Sequence, residues 1–391
     1  MSIIVKKNKS KLLLYALSFL TALHVAIPAY VNSIFIEKFL PADKLELVGY
    51  LYTISAILSV IILLGIPTLL KKIGNFLTTL IITITSITSL LFLAFSQNTI
   101  LVLASFIVYL IIGSVIYFNL DIFLEKYTSD TNTGKVRGIY LTISNTAWVI
   151  APSLAGLMII GNDYCRVYFV SALILLPFII ILLSGFRKFK DPIYKSTSIF
   201  KTIKTIIKNK NIYKIFMVKF FLSFFYAWMT IYTPIYLYRS MGFDWKIIGV
   251  IFTIMLTPFV LFELPLGKLA DKKLGEKEIL NCGIIIISIL TMVLSFLTSH
   301  AFWIWGLVLF ATRVGASAVE IASESYFFKH INAQDSEIIS IFRIISPLAY
   351  SVAPLMASLA LIIIDIRFLF LTLGIFMLLG LKYSLTLKDT R

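Results

Sequence analysis

Four residues, Arg313, Ser317, Glu320 and Glu324, follow one another at spacings of four, three and four inside an apolar run. On an α-helix those spacings put all four side chains on one face. Charges in hydrocarbon are costly and persist where they pair, take up protons or face water, so this stripe is expected either to exchange protons and partners during transport or to form a permanent structural salt-bridge cluster. A second face carries Lys219, Ser223, Tyr226, Thr230 and Thr233. By helical rise, Lys219 lies at about the depth of Glu263, and Arg343 at about the depth of Glu324. Pairs of Lys219 with Glu263, and of Arg343 with Glu324 or Glu320, are therefore expected. In the first half of the chain the candidates are neutral or isolated: His24 with Thr21 and Pro28 on one face, Ser114, Tyr117 and Asp121 on another, and Asn145 and Trp148 ahead of Pro152. The ring pKa of His24 suits proton exchange, and Tyr117, Trp148, Tyr226 and Trp228 can stack an amphipathic ligand.

The elements that position these residues are membrane spans. Of 391 residues, 59% are hydrophobic and 14% charged, with a mean hydropathy of +0.96, far from soluble domains. Twelve segments are long enough to cross a hydrocarbon core, roughly 20 residues each. They are expected near 12–36, 47–70, 76–95, 100–124, 139–160, 167–186, 213–238, 248–270, 279–297, 302–328, 339–364 and 368–385. The first follows a basic start but is too long for a signal-peptide core and is kept as a span.

The lysines and arginines between spans gather on one side, including Lys6, Lys7, Lys9, Lys11, Lys71, Lys72, Lys126, Lys135 and Arg137, the 187–214 segment, and Lys382, Lys388 and Arg391. The other side holds only Lys38, Lys44, Arg166, Arg239, Lys246 and Arg367. This asymmetry places both termini in the cytoplasm of a cell membrane. It also accounts for the net charge of +16, which is spread over juxtamembrane loops and argues against nucleic acid as a partner. Cys165 and Cys282 fall on opposite sides of the bilayer, so no disulfide is expected, and neither a metal site nor any cofactor is indicated.

The chain also repeats itself. Leu47–Ile54 echoes Ile247–Ile254, Gly65 to Gly74 echoes Gly267 to Gly275, Gly113 echoes Gly315, and Ile150–Ala155 echoes Val352–Ala357. Echoes in register about 200 residues apart indicate duplication, with bundles at 1–186 and 213–391 and a linker at 187–212. In that linker, Ile199, Phe200, Ile203, Ile206 and Ile207 take one helical face and Lys201, Lys204, Lys208 and Lys210 the other, as in a helix lying on an anionic leaflet.

Gly267-Lys-Leu-Ala-Asp271-Lys272-Lys273-Leu-Gly275 resembles the loop motif of the major facilitator superfamily, with one extra residue before Gly275, and the earlier copy at Gly65 to Gly74 lacks the aspartate. The resemblance implies an all-α membrane protein of twelve spans in two pseudo-symmetric six-helix bundles, with spans 1, 4, 7 and 10 lining a cavity and Asp271 capping a neighbouring helix start. It also implies a secondary active transporter working by alternating access as a monomer, not an enzyme. Ala151-Pro152-Ser153-Leu154-Ala155-Gly156 is similar to the antiporter motif of the family's drug/proton exchangers, so proton-coupled efflux of an amphipathic compound is the first expectation. Uptake of a sugar, carboxylate or other metabolite is the alternative; a polytopic membrane enzyme, receptor or scramblase is the rival of another class.

Overall fold

The structure, a computed structural model, describes all residues except 1, 42–43, 128–132, 162, 193–198, 270–274, 331–335 and 389–391. Its α-helices are α1 (Ser2–Ala29), α2 (Asn32–Glu37), α3 (Glu46–Phe95), α4 (Thr99–Tyr127), α5 (Thr133–Met158), α6 (Cys165–Phe186), α7 (Ile199–Lys208), α8 (Lys210–Ile235), α9 (Trp245–Leu269), α10 (Glu276–Leu294), α11 (Phe302–His330), α12 (Ser336–Leu361), α13 (Leu369–Leu378) and α14 (Leu381–Ser384). They supply twelve segments long and apolar enough to cross a membrane, and no strand occurs among the described residues. The outer surface is hydrocarbon, with Ile100, Leu157, Ile180 and Ile363 all more than 60% exposed, as a lipid-facing surface requires.

The helices form where apolar runs are long and stop where polar caps intervene. Asp163 accepts the Cys165 N–H (2.8 Å), Asn98 that of Leu101 (3.0 Å), Asn209 that of Ile212 (3.3 Å) and Asp244 that of Ile247 (2.9 Å). Each satisfies an N–H that the following helix leaves free. Several hydroxyls inside the spans are satisfied by their own helix, as in Thr79 to the Asn75 carbonyl and Thr83 to the Thr79 carbonyl, both 2.7 Å, so these need no water.

Two boundaries differ from the sequence expectation. The first span ends at Ala29, and a separate helix, α2, follows. Pro28 has no N–H to give the carbonyl of His24 four residues back; the Tyr109 hydroxyl takes its place at 3.2 Å. Spans 2 and 3 share α3, whose backbone breaks at Gly74 (φ 77, ψ 165). Gly275, its partner in the repeat, has nearly the same conformation (φ 83, ψ 166) directly before α10. Both lie where a side chain would be strained, which explains why glycine stands at both.

The chain forms two compact units, Met1–Pro41 with Ile54–Ser196 and Ala42–Thr53 with Thr197–Arg391. In the first, α1 packs on α4, α5 and α6. In the second, α8 packs on α11 and α12, α9 lies along α11, and α10 is held between α11 and α13. Gly283 and Gly315 allow the close crossing of α10 and α11, since a Cβ on either would sit 2.8 Å from the other's carbonyl oxygen.

Candidate functional site

The second unit gathers the charged residues. Along α8, Lys219, Ser223 and Tyr226 face α11 and α12 and each finds a polar partner there. Lys219 Nζ donates to Glu324 Oε1 at 2.9 Å and lies 3.9 Å from Glu320 Oε1. The Tyr226 hydroxyl donates to Glu320 Oε2 at 2.8 Å, and the Ser223 and Ser346 hydroxyls are 2.9 Å apart. A continuous polar chain thus runs Glu324, Lys219, Glu320, Tyr226. The helix rise puts Lys219 and Glu320 roughly 10–13 Å inside the nearer ends of their spans.

Aromatic rings wall this chain. Lys219 lies 5.7 Å from the centroid of Phe342, which stacks on Phe327 at 4.0 Å. The Arg313 guanidinium lies over Phe225 at 4.7 Å and over Tyr226 at 5.9 Å, and Arg313 is 2% exposed. Rings exclude water and strengthen the interactions among the charges beside them. The carboxylates are less enclosed: the Lys219 side chain is 12% exposed, but those of Glu320 and Glu324 are 32% and 36% exposed. An ion pair with one shielded cation and two accessible acids can exchange protons or admit a ligand at the acids without uncovering the lysine.

The expected Lys219–Glu263 pair does not form. Glu263 is on α9, which lies along α11, whereas α8 packs on α11 and α12, so Lys219 meets the α11 acids instead. Glu263 lies near enough to Tyr226 for its charge to be felt there. Arg343 is exposed on α12, close enough to Lys219 for the two cations to repel. Ser317 is fully buried and donates to the Val314 carbonyl of its own helix at 2.9 Å. Thr230 is half-buried on α8.

In the first unit the corresponding residues, Asp121 apart, are uncharged side chains packed among the helices. His24 is fully buried; its ring lies beside the Leu20 and Thr21 carbonyls without hydrogen-bond geometry and meets Tyr109 edge-on at 6.4 Å. Tyr117 faces the Trp148 indole. Asn145 and Asp121 are half-buried on α5 and α4. Ser18 and Ser144 share a hydrogen bond of 2.6 Å between α1 and α5.

Of the loop motif, Gly267 lies in α9 and Gly275 precedes α10, while Asp271, Lys272 and Lys273 lie outside the described residues. Two acids that sequence reasoning missed act at these helix starts. Glu276, fully buried at the first position of α10, pairs with Lys329 and accepts from Ser325 at 3.2 Å. In the first unit, Asp191 accepts the Asn75 N–H at 2.8 Å just after Gly74. The signal for Glu276 was present, an acid directly after a turn glycine; Asp191 is 116 residues from Asn75 and gave none. No group of three or more metal-ligating side chains occurs among the described residues, and both cysteines are free.

Twelve spans with a polar chain within them and repeated helix starts describe an all-α integral membrane protein. Residues 246–390 match the model of the Major Facilitator Superfamily. Among solved structures, the chain is similar to a bacterial homologue of the human lysosomal transporter Spinster, crystallised in an inward-facing and unoccupied conformation. The TM-score is 0.64 with 13% identity, over 97% of this chain and 93% of that one; at that identity the likeness concerns the fold. No curated protein matches the chain.

Proposed function

We propose that this protein is a proton-coupled secondary transporter that exports an amphipathic compound from the cell, alternating access through the two six-helix bundles at 1–186 and 213–391. The observation that carries the reading is the Glu324–Lys219–Glu320–Tyr226 chain inside the spans. Glu320 is shared between a lysine and a tyrosine hydroxyl and is one-third exposed. A proton on Glu320 weakens its pull on Lys219, leaving the lysine to Glu324. Loss of that proton restores the bridge. One acid with two partners thus has two states of different charge, and a transport cycle can bias their populations. Tyr226, half-buried beside the one-third-exposed Glu320, supports the ligand half of the reading, since an aromatic face next to an accessible acid suits a compound with both an apolar body and a polar end.

The test is Glu320→Gln in proteoliposomes carrying an imposed pH gradient, with ethidium as the amphipathic probe and thermal shift as the binding readout. The wild type is expected to move ethidium against its gradient. The variant is expected to bind it, to lose gradient-driven movement and to keep a normal Tm. Normal gradient-driven movement by the variant at every pH ends the coupling assignment. A lowered Tm that Glu320→Gln shares with Lys219→Met, with coupling intact, makes the chain a fixed structural bridge. Failure of the wild type to move ethidium in either direction removes amphipathic efflux.

A further inference from the structure

We infer that α7 is a surface anchor that binds the anionic headgroups of the bilayer, a role separate from the transport reading. The helix has two apolar edges with different fates. Thr202 and Ile206, one turn apart, are 4% and 5% exposed because α7 packs on α8 and α12. Ile203 and Ile207, also one turn apart and rotated by about 100°, are left 39% and 60% exposed. The docked edge therefore does not account for the whole hydrophobic stripe. Lys204 and Lys208 follow the two exposed isoleucines directly, and these lysines and Lys210 are themselves exposed.

Position and charge select the occupant. α7 ends at Lys208 and α8 begins at Lys210, the first residue of a membrane span, and Asn209 caps that span by accepting the Ile212 N–H. The uncovered isoleucines are thus held at the end of a span, at the level where acyl chains give way to headgroups. Between Pro192 and Phe243 the sequence contains no aspartate or glutamate, so the stretch supplies the lysines with no acid of its own. Apolar side chains flanked by exposed ammonium groups at that level fit a bilayer surface whose headgroups are negative: the isoleucines enter the acyl boundary and the lysines meet phosphates. An acidic protein partner would match the lysines but leave no reason for the helix to be tied to a span end.

The experiment uses the full chain with Cys165 and Cys282 replaced by serine and Ile207→Cys carrying an environment-sensitive nitrobenzoxadiazole label. It is placed in nanodiscs of phosphatidylcholine alone or mixed with phosphatidylglycerol. A blue-shifted, water-shielded emission is expected only in the mixed bilayer, reversed by raised salt. Each of Lys204→Gln, Lys208→Gln and Lys210→Gln is expected to weaken the surface preference about five-fold, whereas arginine at the same positions keeps it. The anchor is overturned if emission is the same in both bilayers or if the glutamine variants leave the shift unchanged. It is equally overturned if soluble glycerol phosphate produces the shift in phosphatidylcholine discs, because the lysines would then be a free-anion site.

Discussion

The two units use the same helices for opposite purposes. Gly113 and Gly315 are partners in the repeat, 202 residues apart, and the same offset sets Ile111, Val115, Phe118 and Ile122 on α4 against Arg313, Ser317, Glu320 and Glu324 on α11. In the first unit, Val115, Phe118 and Ile122 pack with Ile66, Leu70, Leu63 and Ile82 in a hydrophobic cluster; in the second, both glutamates join the ion chain with Lys219. The serine bridges make the pairing more telling. Ser18–Ser144 ties α1 to α5 and Ser223–Ser346 ties α8 to α12, and Ser144 and Ser346 again differ by 202. Four residues before the bridging serine stands Leu14 in one unit, fully buried, and Lys219 in the other. Both units hold the same kind of clasp, with hydrocarbon beside it in one and charge in the other, so the α4 face of the first unit is a neutral frame and the second unit carries the ion chain.

The sharpest way to break this contrast is to put the acid into the neutral frame. Phe118→Glu places a carboxylate against Ile66, Leu70 and Val115, losing aromatic packing and leaving a charge in hydrocarbon. It is expected to cost about 3–5 kcal/mol, read as a large fall in Tm or loss of monodisperse protein. If the variant matches wild type in thermal stability, the α4 face tolerates charge and the contrast fails.

Next in size is the removal of the cation from the charged unit. Lys219→Met leaves Glu320 and Glu324 without their shared partner. Truncating one side of a buried pair costs about 3–5 kcal/mol, reduced here to about 2 kcal/mol because both carboxylates are a third exposed to solvent screening. Adding Glu324→Gln is expected to recover about half of the loss, which a double-mutant cycle by thermal denaturation measures. No recovery would mean that Lys219 acts mainly through its stem and the Phe342 ring.

Much of this was legible in the sequence. Hydropathy length alone locates twelve spans, because lipid demands long apolar helices and leaves few alternatives; the echo of Gly74 with Gly275 was legible too, but their shared positive φ emerged only in the structure. The α11 stripe was legible as well, since spacing fixes a helix face. Partners were not. Depth along the membrane is readable from helical rise, but Lys219 and Glu263 at equal depth on α8 and α9 fail to meet, because which helices adjoin depends on packing that rise does not encode. The serine bridges were hidden for a similar reason: a lone serine in a span satisfies its own backbone as readily as a neighbour's hydroxyl. Asp191 accepts the Asn75 N–H at the start of the third span, and no local pattern announces a cap from so far along the chain.

Glycines offer a finer comparison. A Cβ on Gly113 would meet only Val25 Cγ2, at an ordinary 3.9 Å, whereas one on Gly315 would lie 2.8 Å from the Gly283 carbonyl oxygen and 2.9 Å from Ile286 Cγ2. Gly113→Ala is therefore expected to be neutral or slightly stabilising, gaining up to about 1 kcal/mol of helix propensity. Gly315→Ala is expected to destabilise by about 1–2 kcal/mol, since backbone must move to admit the methyl group. Equal Tm changes for the two would show that the close crossing of α10 and α11 can relax at little cost.

The smallest effect tests what the two units still share. Ser18→Ala and Ser223→Ala each delete one hydroxyl from a serine–serine bond and leave the other, Ser144 or Ser346, to find a new acceptor. Such a loss costs about 1 kcal/mol. Because both bridges join equivalent helices, the two variants are expected to lower Tm by similar amounts. Removing both serines of either bridge should recover part of that loss, since two apolar methyls leave no unpaired donor. The surroundings predict a small asymmetry: Ser18 and Ser144 are 0% and 7% exposed, while Ser223 sits one turn from Lys219 of the ion chain and its partner Ser346 is only half-buried. A slightly larger penalty at Ser18 therefore follows from the neutrality of its unit. If Ser223→Ala instead proves the more damaging by well over 1 kcal/mol, the bridge in the charged unit is holding Lys219 in register with Glu320 and Glu324, and the clasp has diverged along with the groups around it.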